Sequence, residues 1–341
     1  MKNVINYFYN FNIDNIRMID DNYYFVYENK KFVFQELKDS YFDYRAVFEL
    51  NQRIIDNGKP FFQIIMNKDK QIITEYSNKR YILMCDYFSM DRTADFNDIL
   101  DVNMIINDND KIINRLNRAN WSELWKSKID YFEHYINHNV NKYLTVNEYF
   151  NYFIGLGEAA IMYFDDTIKE TRTGVYDNLV VSHKRIYPNN TLKRLYNPLE
   201  LVVDHPSRDI AEYLKMLFWS NLYQKYNLSM YFASINLSDY GARLIVSRLL
   251  FPSFFFDEFE RMVMDNKEEK QLFYIIDRVN EYEQYILNIY NILRQKHAIP
   301  EISWLKKVDY SSTFTTPNTS GTSFINIDSM PSLSVTSIML Q

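Results

Sequence analysis

The sequence predicts an α+β protein: a small antiparallel five-stranded sheet carrying one helix, followed by a larger, mainly helical part. Three observations predict it. Short aromatic-rich runs over residues 16–37 are separated by turns too tight for crossovers, one helical run follows, and from Ala94 onward helical spacing takes over. The runs IRMI, YYFVYE and KFVFQEL are divided by Asp20-Asp21-Asn22 and Asn29-Lys30, which predicts an antiparallel meander. In FDYRAVFELNQRIIDNG, Tyr44, Val47, Phe48, Asn51 and Ile54-Ile55 recur at helical spacing, and Gly58 closes the helix ahead of Pro60. Strand-like runs return at 61–66 and 71–87, the second split by a turn at Ser77-Asn78.

Helical sets are expected over 95–117, over 121–138 with Trp121, Leu124-Trp125, Ile129 and Phe132 on one face, and over 145–170 with Thr145 as cap. Further helices are expected at 209–226, 239–251 and 268–296. Between them lies an insert of different character. An apolar run (Leu179 to Val181), a polar loop with Pro188-Asn189-Asn190, and a second apolar run (Leu199 to Val203) end at Asp204. A helix then starts at Pro206-Ser207. A polar loop between buried strands suits a cleft, and equally an ordinary hairpin. Residues 311–341 are rich in Ser, Thr, Asn and Pro and are expected to be a disordered tail.

Lys and Arg number 38 against 44 Asp and Glu, a net charge of −6 without long single-sign blocks, so no nucleic-acid partner is expected. The lone Cys85 excludes an internal disulfide framework and reads as a buried small residue. No signal peptide is read at the start, and no run reaches the ~20 apolar residues of a membrane span. A soluble, cytoplasmic protein without membrane contact is therefore expected. Only 6 glycines in the chain argue against a glycine-rich phosphate loop.

A small sheet with one helix, a connector near 85–95 and a helical part holding a polar loop is the order of bilobal kinase-like folds. The stretch His183 to Tyr213 resembles the phosphotransferase family that includes aminoglycoside and choline kinases, most nearly the kinase-like proteins of bacterial spore coats. That family's catalytic loop reads His-Gly-Asp-x-x-x-x-Asn, and a metal-binding Asp follows on the next strand. Here the loop reads His183-Lys184-Arg185-Ile186-Tyr187-Pro188-Asn189-Asn190, the metal strand Val202-Val203-Asp204-His205, and Arg208-Asp209-Ile210-Ala211 resembles the family's helix start. The resemblance implies an N-lobe over 1–88 and a helical C-lobe over 89–310 with the catalytic-loop-like insert at 179–209.

It also implies roles. His183 would brace the loop, Asn190 and Asp204 would be metal ligands, and Asp209 would be structural. ATP and Mg2+ are the candidate cofactors. The alternatives for Asn190 and Asp204 are a turn former and an acceptor of backbone hydrogen bonds. The departures concern chemistry. Arg185 stands where the catalytic Asp belongs, and a guanidinium offers only donors and stays protonated. The third-strand lysine position falls at Gln35, which carries no charge, and Glu49 is the candidate partner from the single helix. Lys184, Arg185, Lys193 and Arg194 would either grip an anion or form a solvated loop. Losing a general base costs about 10²–10⁴ in rate. The expectation is thus a degenerate, pseudokinase-like phosphotransferase that acts by binding a protein partner as scaffold or regulator, related to the spore coat. The alternative is an active ATP- and Mg-dependent kinase of a hydroxyl acceptor, with Asp177 or Asp166 as a relocated base.

Overall fold

In the computed structural model the residues described are 1–306 apart from 20, 39–41, 88–91, 93, 107–110, 139–141, 187–191 and 265–266. The tail expected over 311–341 lies outside them. In chain order the first elements are α1 (Lys2–Tyr9), β1 (Arg17–Ile19), β2 (Asn22–Tyr27), β3 (Lys30–Glu36), α2 (Tyr44–Asp56), β4 (Gln63–Ile65), β5 (Thr74–Tyr76) and β6 (Lys79–Asp86). Then come α3 (Phe96–Val102), α4 (Lys111–Leu116), α5 (Trp121–His138), α6 (Leu144–Glu170), β7 (Val180–His183), α7 (Leu192–Leu195), β8 (Leu201–Asp204) and α8 (Ser207–Trp219). The remainder is α9 (Leu228–Ala233), α10 (Asp239–Leu250), α11 (Ser253–Met264), α12 (Lys270–Ile276), α13 (Val279–Arg294) and α14 (Ser303–Lys306). None of the described helices is long and apolar enough to cross a membrane.

The chain forms two compact units, residues 1–120 with 177–223, and 121–176 with 224–341. The first holds an antiparallel sheet in the order β1-β2-β3-β6-β4, with β5 also pairing β6. It has six strands where five were expected, because the turn at Ser77-Asn78 makes β5 and β6 separate strands; both residues adopt positive φ. One face of the sheet is aromatic. Phe25 opposes Phe32 across β2 and β3 and stacks on it at 5.2 Å, and Phe34 stacks on Tyr81 at 4.7 Å. Helix α1, which the sequence reading did not foresee, supplies Ile5 and Tyr9 to this buried cluster, where Cys85 also sits. Burial pushes the Cys85 thiol up to about 11, so it is an inert core residue.

Asp43 caps α2 by accepting the Ala46 N–H at 2.9 Å. The helix ends in a Schellman arrangement, with Gly58 at φ 73 donating to Ile55 O and Lys59 to Ile54 O. The Asn51 amide fixes α2 to the sheet side, donating to Phe62 O at 2.8 Å and accepting from Ile64 N at 3.0 Å.

The second unit is helical. Its apolar core includes Trp125 stacked on Phe251 at 4.5 Å and Phe132 edge-on to Phe255, Phe256 and Phe259. Several expectations shift here. Helix α6 starts at Leu144 behind Tyr143, so Thr145 lies inside it and is not the cap. The run expected over 268–296 is two helices parted at Asp277-Arg278, and α11, absent from the expected helices, opens directly after Pro252. The set expected over 95–117 likewise resolves into α3 and α4.

Candidate functional site

Strands β7 and β8 pair antiparallel from Val180↔Asp204 to His183↔Leu201, and every residue of both is buried. The chain on either side of α4 holds the hairpin: before it, Ile106 N donates to Leu179 O and Met104 O accepts from Val181 N, and after it Arg118 N donates to Val203 O. The register sets Asp204 opposite Val180 at one end of the pair and His183 opposite Leu201 at the other. Helix α8, buried along its whole length, begins two residues beyond β8.

His183 is fully enclosed. Its Nδ1 lies 2.9 Å from Asp209 Oδ2 and its Nε2 3.0 Å from Leu195 O, while its backbone N–H donates to Asp209 Oδ1 at 2.8 Å. Both ring nitrogens face oxygen acceptors, an arrangement that favours the doubly protonated ring. Burial pulls its pKa down, but the Asp209 charge and hydrogen bond outweigh that, and the net direction is up. Asn103 Nδ2 adds a donor to Asp209 Oδ2 and to Val181 O, each at 3.1 Å.

Asp204 has both oxygens engaged. Oδ1 accepts from His205 N at 2.7 Å, and Oδ2 accepts from Arg208 Nη1 at 2.5 Å, with neither side chain exposed beyond a few per cent. The Arg208 fork also donates to His183 O at 2.6 Å and Lys184 O at 3.0 Å. One guanidinium thus ties the metal-strand carboxylate to the backbone of the loop. His205 accepts from Ser207 N at Nδ1, so its Nε2 carries the proton and donates to Asp177 Oδ1 at 2.9 Å. Asp177 is thereby a buried partner of His205.

Arg185 donates to Lys184 O at 3.1 Å and lies 3.8 Å from Glu212 Oε1, a buried carboxylate on α8. Lys184 donates to Leu199 O at 2.8 Å and sits 3.4 Å over the Phe42 ring. Gln35 on β3 accepts from Asn197 Nδ2 at 3.1 Å. Glu49 does not meet Gln35. It pairs with Arg115 at 2.9 Å and Arg45 at 3.4 Å, and the same Arg115 holds Asp43 through two bonds of 2.7 and 2.8 Å. That fork, ahead of the cost of burial, holds the Asp43 carboxyl below its ordinary range.

Of the residues singled out from sequence, the structure gathers His183, Arg185, Asp204 and Asp209 around the hairpin. Gln35 reaches it through Asn197, Glu49 turns to α4, and Asn190 lies outside the described residues. Arg208, Glu212, His205 and Arg115 carry interactions that the reading did not assign. The four-residue spacing of Asp204, Arg208 and Glu212 was the available signal.

Among the described residues no group of three metal-ligating side chains converges. Asp204 already has an arginine counterion and a backbone donor, so the described residues do not fit a catalytic Mg2+ ion. Nor do they offer a carboxylate at the loop position held by Arg185, or an ammonium at Gln35.

A family model described as "Spore coat putative kinase YutH" matches residues 2–289. Over 211 residues the chain is 32% identical to the endospore coat-associated protein YutH of Bacillus subtilis (strain 168), an alignment covering 55% of this chain and 61% of that protein. The match thus spans less than two thirds of that relative's length. An aminoglycoside phosphotransferase from Alicyclobacillus acidocaldarius superposes with a TM-score of 0.54 at 12% identity, covering 84% of this chain and 93% of the other. A spectinomycin phosphotransferase, solved in complex with ADP and spectinomycin, gives 0.51 at 11%, covering 86% and 96%. At such identities the likeness is one of fold, and the fold is kinase-like, as the sequence resemblance implied.

Proposed function

This chain belongs to the spore-coat YutH family, and we propose that it uses its kinase-like fold as a binding device, a scaffold or regulator of coat assembly, and not as an efficient phosphotransferase. The observation that carries the reading is the buried Arg208–Asp204 pair at 2.5 Å. A catalytic metal strand needs a carboxylate whose charge is left for the ion, and here the charge is met inside the protein. Arg185 strengthens the reading. Its guanidinium cannot accept a proton from a hydroxyl, and the Glu212 carboxylate it approaches is buried.

The alternative, an active ATP- and Mg-dependent kinase with relocated groups, needs a carboxylate free to act as base. Asp177 is committed to His205 with its side chain 1% exposed, which speaks against it in that role. A protein partner suits the reading better than a small acceptor, and a cytoplasmic origin for a coat-associated protein goes with it.

Thermal unfolding with ATP, with and without Mg2+, tests the reading. Mg2+ should add no stabilisation to that given by ATP alone. An intact Mg-nucleotide site at 100 times its Kd would add about 2.7 kcal/mol, a shift of several degrees. Such a Mg-dependent shift, together with hydroxyl-directed phosphoryl transfer, would overturn it.

A further inference from the structure

The chain has five histidines. Three face carboxylates: His183 meets Asp209, His205 meets Asp177 and His297 meets Asp239. The other two, His134 and His138, stand together on the last turns of α5, an 18-residue helix, and both are exposed. Their four-residue spacing puts them on one face, with ring centroids 4.3 Å apart.

The hydrogen bonding of His138 sets its chemistry. Its Nδ1 lies 2.7 Å from His134 O. A carbonyl oxygen only accepts, so Nδ1 carries the proton in the neutral ring, and Nε2 is left with its lone pair. A ring whose Nδ1–H is held by a backbone carbonyl is arranged as metal-binding histidines are, with tautomer and orientation fixed by the second partner. The carbonyl that fixes it belongs to the other member of the pair, so the two rings and one backbone group form a single unit. Asp130, one turn earlier on the same face, is exposed and adds negative charge nearby.

We propose that His134 and His138 form a two-imidazole chelate for a borderline divalent transition metal of the Zn2+, Ni2+ and Cu2+ class. No third metal-ligating side chain converges on the pair among the described residues, so water completes the coordination. Imidazole nitrogen selects these ions over Mg2+ and Ca2+, which take oxygen ligands. The site lies in a different unit from the β7–β8 hairpin and is independent of whether the fold transfers phosphate.

The test is titration of the untagged full chain with ZnCl2 by calorimetry, with long-range 1H–15N spectra of the imidazoles as second readout. One Zn2+ should bind per chain, with signals of His134 and His138 shifting and those of His183 and His205 unmoved. Affinity should be higher for Cu2+ than for Zn2+ and negligible for Mg2+. His134→Ala and His138→Ala should each weaken Zn2+ binding about tenfold or more, the lower end of what even outer partners of a metal ligand contribute. Both positions are exposed, so unfolding midpoints without metal should stay at the wild-type value. Zn2+ affinity unchanged in both variants, or no shift of the two imidazole signals, overturns the proposal. The pair would then be only a solvated helix end in which two histidines complement the carboxyl-terminal dipole.

Discussion

Replacing Arg208 by Met removes the guanidinium bonded to Asp204 and keeps most of the side-chain volume. Asp204 Oδ2 then loses a 2.5 Å charged bond in a site where the carboxylate is fully buried. Breaking a buried pair on one side costs about 3–5 kcal/mol, because it leaves a buried charge without its counterion. His183 O and Lys184 O also lose donors at 2.6 and 3.0 Å, each loss worth about 1–3 kcal/mol when the group stays dry. These terms share one side chain and do not add, so about 3–5 kcal/mol is the working figure. At about 2–4 °C per kcal/mol for a 150–250-residue folding unit, the midpoint should fall about 6–20 °C. Urea and thermal unfolding of wild type, Arg208→Met, Asp204→Asn and the double variant measure this. The double variant should be more stable than the sum of the singles predicts, since it leaves no unmatched charge. Arg208→Lys, which keeps charge but not the three-way fork, should fall between. A loss below about 1 kcal/mol for Arg208→Met, the range of an exposed pair, would falsify the assignment of Arg208 as the internal counterion.

Two further outcomes follow from buried titrating groups. His183, raised by its Asp209 partner, should appear doubly protonated in 15N imidazole spectra at neutral pH. An unfolded histidine titrates near about 6.5, so the contribution of His183 is complete below that value and is lost as pH rises through the higher folded one. The stability difference between wild type and His183→Gln should therefore shrink with rising pH, and a difference that grows sinks the imidazolium assignment. Glu283 on α13 is raised by burial, with the Tyr152 hydroxyl at 2.7 Å offsetting part of this. Its neutral form is the favoured one in the fold, so whatever stability it gives is lost as pH rises. Glu283→Gln keeps the acceptor for Tyr152 and should be more stable than wild type at neutral pH, by a margin that vanishes toward about pH 4. Equal stability at both ends would show that the carboxylate is solvated.

What was legible in the sequence was local. The meander was legible from its turns, where Asn29 and Ser77-Asn78 adopt positive φ; which face of the sheet is buried was not read from the sequence. The end of α2 was legible for the same reason, since Gly58 is the residue a Schellman ending calls for. Helix α1 was passed over because its residues were weighed only as a targeting segment, although Val4, Ile5, Phe8 and Tyr9 already have helical spacing. Helix α11 was not among the expected helices, although Pro252 just ahead of it is a residue at home at a helix start, having no N–H to leave unpaired.

The site was harder, because its substance lies in pairings between segments. A one-dimensional motif, aligned by resemblance, sets Arg185 at the position expected of a carboxylate, but does not show that Glu212, twenty-seven positions on, comes within 3.8 Å of it. It shows an aspartate at 204, but not that the turn through Pro206 folds Arg208 back onto it. Glu49 is the clearest case. With Gln35 opposite, a carboxylate on α2 has no ammonium to meet, and the sequence left solvent as its natural environment. The structure gives it Arg115, which also grips the cap residue Asp43. The two anions that the resemblance would assign to a metal and a lysine, Asp204 and Glu49, each pair with an arginine. Arginine suits that task because its fork satisfies several acceptors at once and never deprotonates. A lysine that binds a phosphate must release it again, and a metal must exchange its ligands during turnover. Arg208, bonded to Asp204, His183 O and Lys184 O together, is built to do neither. On the proposal that this frame is a binding device, these arginine pairs are its physical content: a permanent electrostatic centre where transfer would need an exchangeable one.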